Sequence, residues 1–207
     1  MRTVIVCVTT PQRGLPHQAR LLRSNPDKSV YIQYGAESIL PWKRYEAWLN
    51  ADRLIRDWWF QTGRHIGFDR AVFVEWDVVF DMDVDLAIPM EGDLIGKNVM
   101  VQGRDDWNWW DQVKQFPAGI RPLAAGIEPL AVVACSRRLL EALFSSAAIL
   151  KLFDLNVISE LRLATAARVS GFEPITCPSL RHVRWDKLDP GVDPSLPGIW
   201  HPVKKAL

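Results

Sequence analysis

Residues 71–80 read Ala-Val-Phe-Val-Glu-Trp-Asp-Val-Val-Phe, an apolar run broken by two carboxylates, Glu75 and Asp77. A run rich in Val and Phe predicts a strand buried on both faces, as in the interior of a sheet covered by helices. An ionised group out of water is costly unless a partner meets it. Side chains two apart on an extended segment point the same way. Glu75 and Asp77 are therefore expected to converge on one cation or polar ligand at the end of that strand.

The flanking chain supplies the rest of such a sheet. Residues 3–8 form a β-branched run that stops at Thr9-Thr10-Pro11, and residues 29–34 form a second strand ending at Gly35. Residues 17–23 suit a short helix, and residues 46–62 a longer one. In the longer helix Trp48, Ala51, Ile55, Trp58 and Trp59 share one face, Asn50, Arg53, Arg56 and Asp57 lie mostly on the other, and Gly63 follows as a stop. Further strands are expected at residues 93–99, 128–135 and 173–177, and helices at 137–150 and 157–170. Strands alternating with helices imply crossover connections. The expected fold is one α/β domain over residues 1–207, a mostly parallel twisted central sheet flanked by helices. Six of the 14 prolines fall between Pro174 and Pro202, which predicts an irregular C-terminal tail wrapping the domain.

Composition narrows the function classes. The 25 basic and 24 acidic residues leave a net charge of +1, so there is no electrostatic footprint for nucleic acid. Cys7, Cys135 and Cys177 sit in apolar runs without metal-ligand spacing and read as reduced core thiols. The apolar start is too short for a signal segment, and no stretch approaches the roughly 18 apolar residues of a membrane span. A cytoplasmic protein is expected, with peripheral membrane association left open.

Four further places carry candidate chemistry. The turn after the first strand offers Thr9, Thr10 and Arg13 where ligands bind in open α/β sheets, or it is an ordinary solvated loop. Glu160 opens a helix, either as a general base facing a cleft or as a partner of the helix dipole. His201, in the tail, is either structural or an imidazole ligand to a carboxylate-bound Mn²⁺. Trp107, Asn108, Trp109 and Trp110 either stack on a sugar or base, with Asn108 and Asp111 bonding hydroxyls, or pack a core edge. Asp81, Asp83 and Asp85 alternate as in a calcium loop but lack its Gly and distal Glu, and read as a solvated strand end.

These features resemble the GT-A class of nucleotide-sugar glycosyltransferases in order and in short motifs, spread over most of the chain. Val4 to Val8 with Pro11 and Arg13 resembles the family's first strand and nucleotide-contacting turn. Glu75-Trp76-Asp77 resembles its DxD motif, with Glu in first place. In that family the first acid tends to touch the ribose and the last binds the metal. Ile158-Ser159-Glu160-Leu161-Arg162, leading to Gly171, resembles the segment bearing the base of inverting members, without their Glu-Asp pair. Gly198-Ile199-Trp200-His201-Pro202-Val203-Lys204 resembles the C-terminal His segment, and Asn50 a position near the nucleotide.

The resemblance implies Mn²⁺- or Mg²⁺-dependent transfer of a sugar from a nucleotide-sugar donor to a carbohydrate or other hydroxyl acceptor. It makes Glu160 the catalytic base, Asp77 and His201 the metal ligands, and Thr9, Thr10, Arg13, Asn50 and Glu75 the nucleotide-binding set. Trp107, Asn108, Trp109 and Trp110 become acceptor-binding, while Lys204 or Arg13 adds positive charge near the diphosphate. Glycoside hydrolysis fits less well, because its carboxylates flank the scissile bond at about 5 Å or more. Two alternatives stand beside it. A sugar-phosphate nucleotidyltransferase would favour a Gly-rich loop after the first strand, and residues 9–14 hold one glycine. The other is a domain that binds a nucleotide sugar or a partner without turnover.

Overall fold

The computed structural model describes residues 1–9, 13–34, 49–89, 91–184, 193 and 198–202. In chain order the strands are β1 (Thr3–Thr9), β2 (Ser29–Tyr34), β3 (Arg70–Glu75), β4 (Val79–Phe80), β5 (Leu94–Gly96), β6 (Asn98–Val101), β7 (Ala125–Glu128), β8 (Val132–Ser136), β9 (Pro174–Thr176) and β10 (Ile199–Trp200). The longer helices are α1 (Gly14–Ser24), α2 (Ala51–Gln61), α3 (Arg137–Ser145) and α4 (Ser159–Val169).

Six strands make the central sheet in the order β2-β1-β3-β8-β5-β9. β2, β1 and β3 run parallel, β8 runs antiparallel to both its neighbours, and β9 is parallel to β5. The fold is thus α/β with a mixed, mostly parallel sheet. From β1 the chain steps to β2 on one side and later to β3 on the other. The carboxyl ends of β1 and β3 therefore flank a topological switch point, the place where open α/β sheets bind ligands.

The two-residue period of the strands divides the core into two layers. Val4, Val6, Ala71 and Phe73 face α2, α3 and α4, where Trp58, Leu139, Leu143 and Leu161 pack. Ile5, Cys7, Val72 and Val74 face Leu21 of α1 and the apolar residues Val84, Ala87, Ile88, Val183 and Ile199. The three cysteines are free and buried. In α4 every residue from 159 to 167 is buried, so this helix runs through the interior and shows no polar stripe.

Several boundaries differ from expectation. The run at 71–80 is not one strand. β3 ends at Glu75, residues 76–77 turn, and β4 pairs with β10 in a separate two-stranded sheet. Of the expected strand 128–135 only residues 132–135 continue as strand, in β8, while β7 ends at Glu128 and pairs with β6 instead of joining the central sheet. The expected strand 93–99 likewise divides into β5 and β6. The helix expected over 137–150 breaks at Ser146, whose hydroxyl caps a new turn by accepting from the Ile149 amide. Asp83 is no solvated strand end, since it caps the helical turn Val84–Ala87, while Asp85 accepts from Thr3 and pairs with Lys28. Thr10, Trp48 and Lys204 lie outside the described residues, as does much of the expected irregular tail. Among the described residues no helix is long and apolar enough to cross a membrane.

Candidate metal centre and adjoining cleft

The site begins with a turn. The Val78 amide donates to the Glu75 carbonyl at 3.1 Å, folding Trp76 and Asp77 over the end of β3. Glu75 lies opposite Val8 across the β1–β3 register. β10 lies antiparallel to β4, with Trp200 opposite Val79, so the next residue, His201, arrives beside the turn. Residues 182–184 hold His201 from the other side: the Arg184 amide donates to the His201 carbonyl at 3.2 Å, and Val183 bridges His201.

These contacts gather Glu75, Asp77 and His201, whose candidate ligand atoms all lie within 4.8 Å of one another. His201 Nε2 is 3.2 Å from Asp77 Oδ1 and 3.8 Å from Glu75 Oε2. Asp77 and His201 are buried, and Glu75 is partly so. His201 Nδ1 hydrogen-bonds the Arg184 carbonyl. That bond fixes the tautomer and aims Nε2 at the two acids, the usual way a ligating imidazole is oriented. Two carboxylate oxygens and one imidazole nitrogen at this spacing can hold a divalent cation. Such a mixed O/N set can share a divalent cation with substrate oxygens.

The electrostatics show the same incompleteness. Burial pushes Glu75 up to about 7, with His201 pulling down and Asp77 adding to the rise. Burial alone would lower His201, but the hydrogen bond and charge of Asp77, with Glu75 behind it, raise it. His17 of α1, fully buried, is driven down to about 4 by burial and by Arg20, against the Val74 backbone and Asp77.

The remaining predicted residues fall in three groups. Thr9, the buried last residue of β1, and Arg13 lie at the switch point. The Arg13 guanidinium sits 3.5 Å above the ring of half-buried Trp76, which makes Trp76 a platform for the start of α1. Glu160 is 2% exposed at the start of α4 and accepts from the Ser159 hydroxyl at 2.7 Å. Burial pushes it up to about 8, Ser159 and its own amide pull down, and Glu75 and Asp52 push up. It is within electrostatic reach of the acidic cluster.

Asn50 precedes α2, and its oxygen accepts from Arg162 at 3.3 Å. Trp107 takes the second of its two expected places, the core edge. It is 7% exposed and lies so close over Gly126 that a Cβ there would come within 2.4 Å of its ring. Trp110 stands edge-on to Trp107 and donates to the Asp105 carbonyl at 2.8 Å. Asn108 is exposed. Trp109 is half-buried and lines a cleft of about 520 Å³ that includes Asn50, Gln112 and Arg162.

Sequence reasoning gave Arg162 no role and missed Asp52. Arg162 Nε and Nη2 clasp the Asp52 carboxylate at 2.8 and 2.6 Å. Nη1 donates to the Leu155 and Val157 carbonyls at 2.8 and 2.5 Å, and Nη2 also to the Leu49 carbonyl at 2.8 Å. The fork ties the start of α2 to α4 and to the loop before Glu160. Its signal was present in the sequence: one Arg amid Leu161, Leu163, Ala164, Ala166 and Ala167, a helix with no polar face for it.

No family model and no curated protein matches the chain. Among solved structures it is similar to a glycosyltransferase involved in the glycosylation of the major capsid of PBCV-1, at 8% identity and a TM-score of 0.45. That match covers 74% of this chain and 66% of the other, just under two thirds of its length. It is also similar to A197 from STIV, at 15% identity and a TM-score of 0.30, over 75% of this chain and 80% of that one.

Proposed function

We propose that the chain is a single-domain, cytoplasmic, metal-dependent glycosyltransferase that moves a sugar from a nucleotide-sugar donor to an acceptor hydroxyl with inversion. The observation that carries this reading is the convergence of Glu75, Asp77 and His201 at the carboxyl end of β3, beside the switch point. Asp77 and His201 would hold the cation, with Glu75 reaching either the same ion or the donor's ribose. A divalent cation bound there supplies positive charge that neutralises the leaving diphosphate. Thr9 and Arg13 border the same end of the sheet, and Arg13 offers a cation to donor phosphates. Glu160 is the base that takes the acceptor proton, and Ser159 orients its carboxyl.

The burial of Glu160 favours a second reading, a domain that binds the donor without turnover. One pair of variants separates the two. Calorimetry with a nucleoside diphosphate and Mn²⁺ should show binding that needs the metal and is lost in Asp77→Ala. Glu160→Gln should keep that binding and lose transfer. Metal-independent binding that persists in Asp77→Ala sinks the metal role, and full turnover in Glu160→Gln removes that residue as the base.

A further inference from the structure

Two adjoining hollows lie at the amino ends of β1 and β3, at the opposite end of the sheet from Glu75, Asp77 and His201. Phe68, Asp69 and Arg137 line both. They differ in charge. The one of about 610 Å³ sets Arg138 against Asp93 at 2.5 and 2.6 Å, and Arg137 against Glu141 at 2.8 Å. Its charges cancel. The one of about 570 Å³ is lined by Arg2, Arg64 and Arg137, with Asp69 as its single acid. Even with Arg137 assigned to Glu141, Arg2 and Arg64 face one carboxylate, so the walls of this hollow carry surplus positive charge.

The guanidiniums are held in place by the turn at residues 63–68. Arg137 Nη1 and Nη2 donate to the Ile66 and Arg64 carbonyls at 2.5 and 3.5 Å. The same group lies 5.2 Å from the Phe68 ring and 5.5 Å from the Trp59 ring. Arg64 lies 5.4 Å over the Phe60 ring, and its Nε donates to His65 Nε2 at 3.0 Å. Arg2 is anchored through its main chain. Its amide donates to Asp69 Oδ2 at 2.6 Å, and its carbonyl accepts from the Asp69 amide at 2.9 Å. Its Nη1 reaches Gly67, 3.6 Å from where a Cβ would stand. Arg2 and Arg137 thus meet over consecutive residues.

Among the described residues the Arg2 guanidinium has no acceptor, nor do the terminal nitrogens of Arg64. A guanidinium presents its N–H donors as a planar fork that matches two oxygens of a phosphate. The hollow's volume lies within the range of small-molecule sites. We propose that it binds the phosphate of a small molecule, free or esterified, clasped between Arg2 and Arg64 with Arg137 behind them. This site needs no cation, and it stands whether or not the chain transfers a sugar.

The test is calorimetry on the full chain in EDTA with inorganic phosphate and with methyl phosphate, against sodium chloride at equal ionic strength. Arg2→Gln/Arg64→Gln changes two exposed positions and should leave the urea midpoint in place, while binding weakens roughly tenfold or more. Asp69→Asn removes the opposing charge and should tighten binding. Asp77→Ala, at the other end of the sheet, should bind phosphate as the parent does. Methyl phosphate bound more tightly than inorganic phosphate supports an ester as the ligand, and the reverse supports the free ion. The proposal is overturned if neither phosphate binds, or if chloride reproduces the effect, meaning an adventitious ion only. It is equally overturned if binding survives the double variant, or if vesicles of anionic phospholipid bind and the two soluble phosphates do not.

Discussion

Among the described residues, two buried ionic clusters are built differently. Asp52 and Arg162 form a closed pair, with the carboxylate clasped by two donors and the rest of the fork spent on backbone carbonyls. Glu75, Asp77 and His201 form an open one: two acids share one imidazole, whose other nitrogen is already committed to Arg184. Burial, helped by Asp77 and opposed by His201, raises the Glu75 carboxyl to about 7. A fully satisfied buried charge is a structural device, while an under-compensated one marks a place where another charge belongs. The comparison teaches which of two buried clusters to call a site.

The largest break comes from the closed pair. Arg162→Met leaves Asp52 buried without a partner and should cost about 3–5 kcal/mol of unfolding free energy. Removing both charges, as Asp52→Leu/Arg162→Met, should recover much of that. Urea unfolding of the two variants measures it, and a double variant no better than the single one would mean the pair is not the source.

The open cluster and its neighbour should instead show in pH. Glu160 is raised from 4.5 to about 8 and Glu75 from 4.5 to about 7. For a carboxyl raised on folding, the folded state holds the proton that the unfolded chain releases. The contribution is whole below the unfolded value and is lost as pH rises through the folded one. The carboxyl contribution is lost between about pH 4.5 and 8, whereas His17, lowered from 6.5 to about 4, adds stability as pH rises between those two values. The net fall of the metal-free protein should therefore be clearest between about pH 6.5 and 8. Glu160→Gln should flatten the upper part of that slope, and saturating Mn²⁺ the part due to Glu75. A slope unchanged by either would remove the argument. The smallest effect belongs to Arg138, which pairs with Asp93 at 2.5 Å but is itself 74% exposed. Arg138→Ala should move the urea midpoint least of these variants, as exposed pairs do.

Much of this was legible in the sequence. β1 and β2 declare themselves because β-branched runs have sharp polar ends. The pairing of Asp77 with His201 was visible as two metal-compatible groups on elements that a sheet could bring together. The turn at Trp76 and Asp77 was not legible, because the apolar residues on both sides are buried whether the chain runs straight or turns. The choice between the two readings of Trp107 was hidden for a related reason: indoles among polar residues suit a ligand platform as well as a core edge, and the bare Cα of Gly126 is what lets the ring pack inward. Arg162 and Asp52 escaped notice because they are more than a hundred residues apart, at 110, and neither carries a local pattern. Gln112 likewise serves a helix start far along the chain.

The two-residue strand β10 brings a further consequence. It is the described contact that carries His201 to Asp77 across more than half the chain, through pairing with the equally short β4. Under the proposed metal reading, docking of residues 198–202 and binding of a cation are linked, each strengthening the other by the same factor. Cation concentration would then set how firmly those residues are held. Protection of residues 198–202 from a protease becomes a gauge of the ion, with no substrate in the tube.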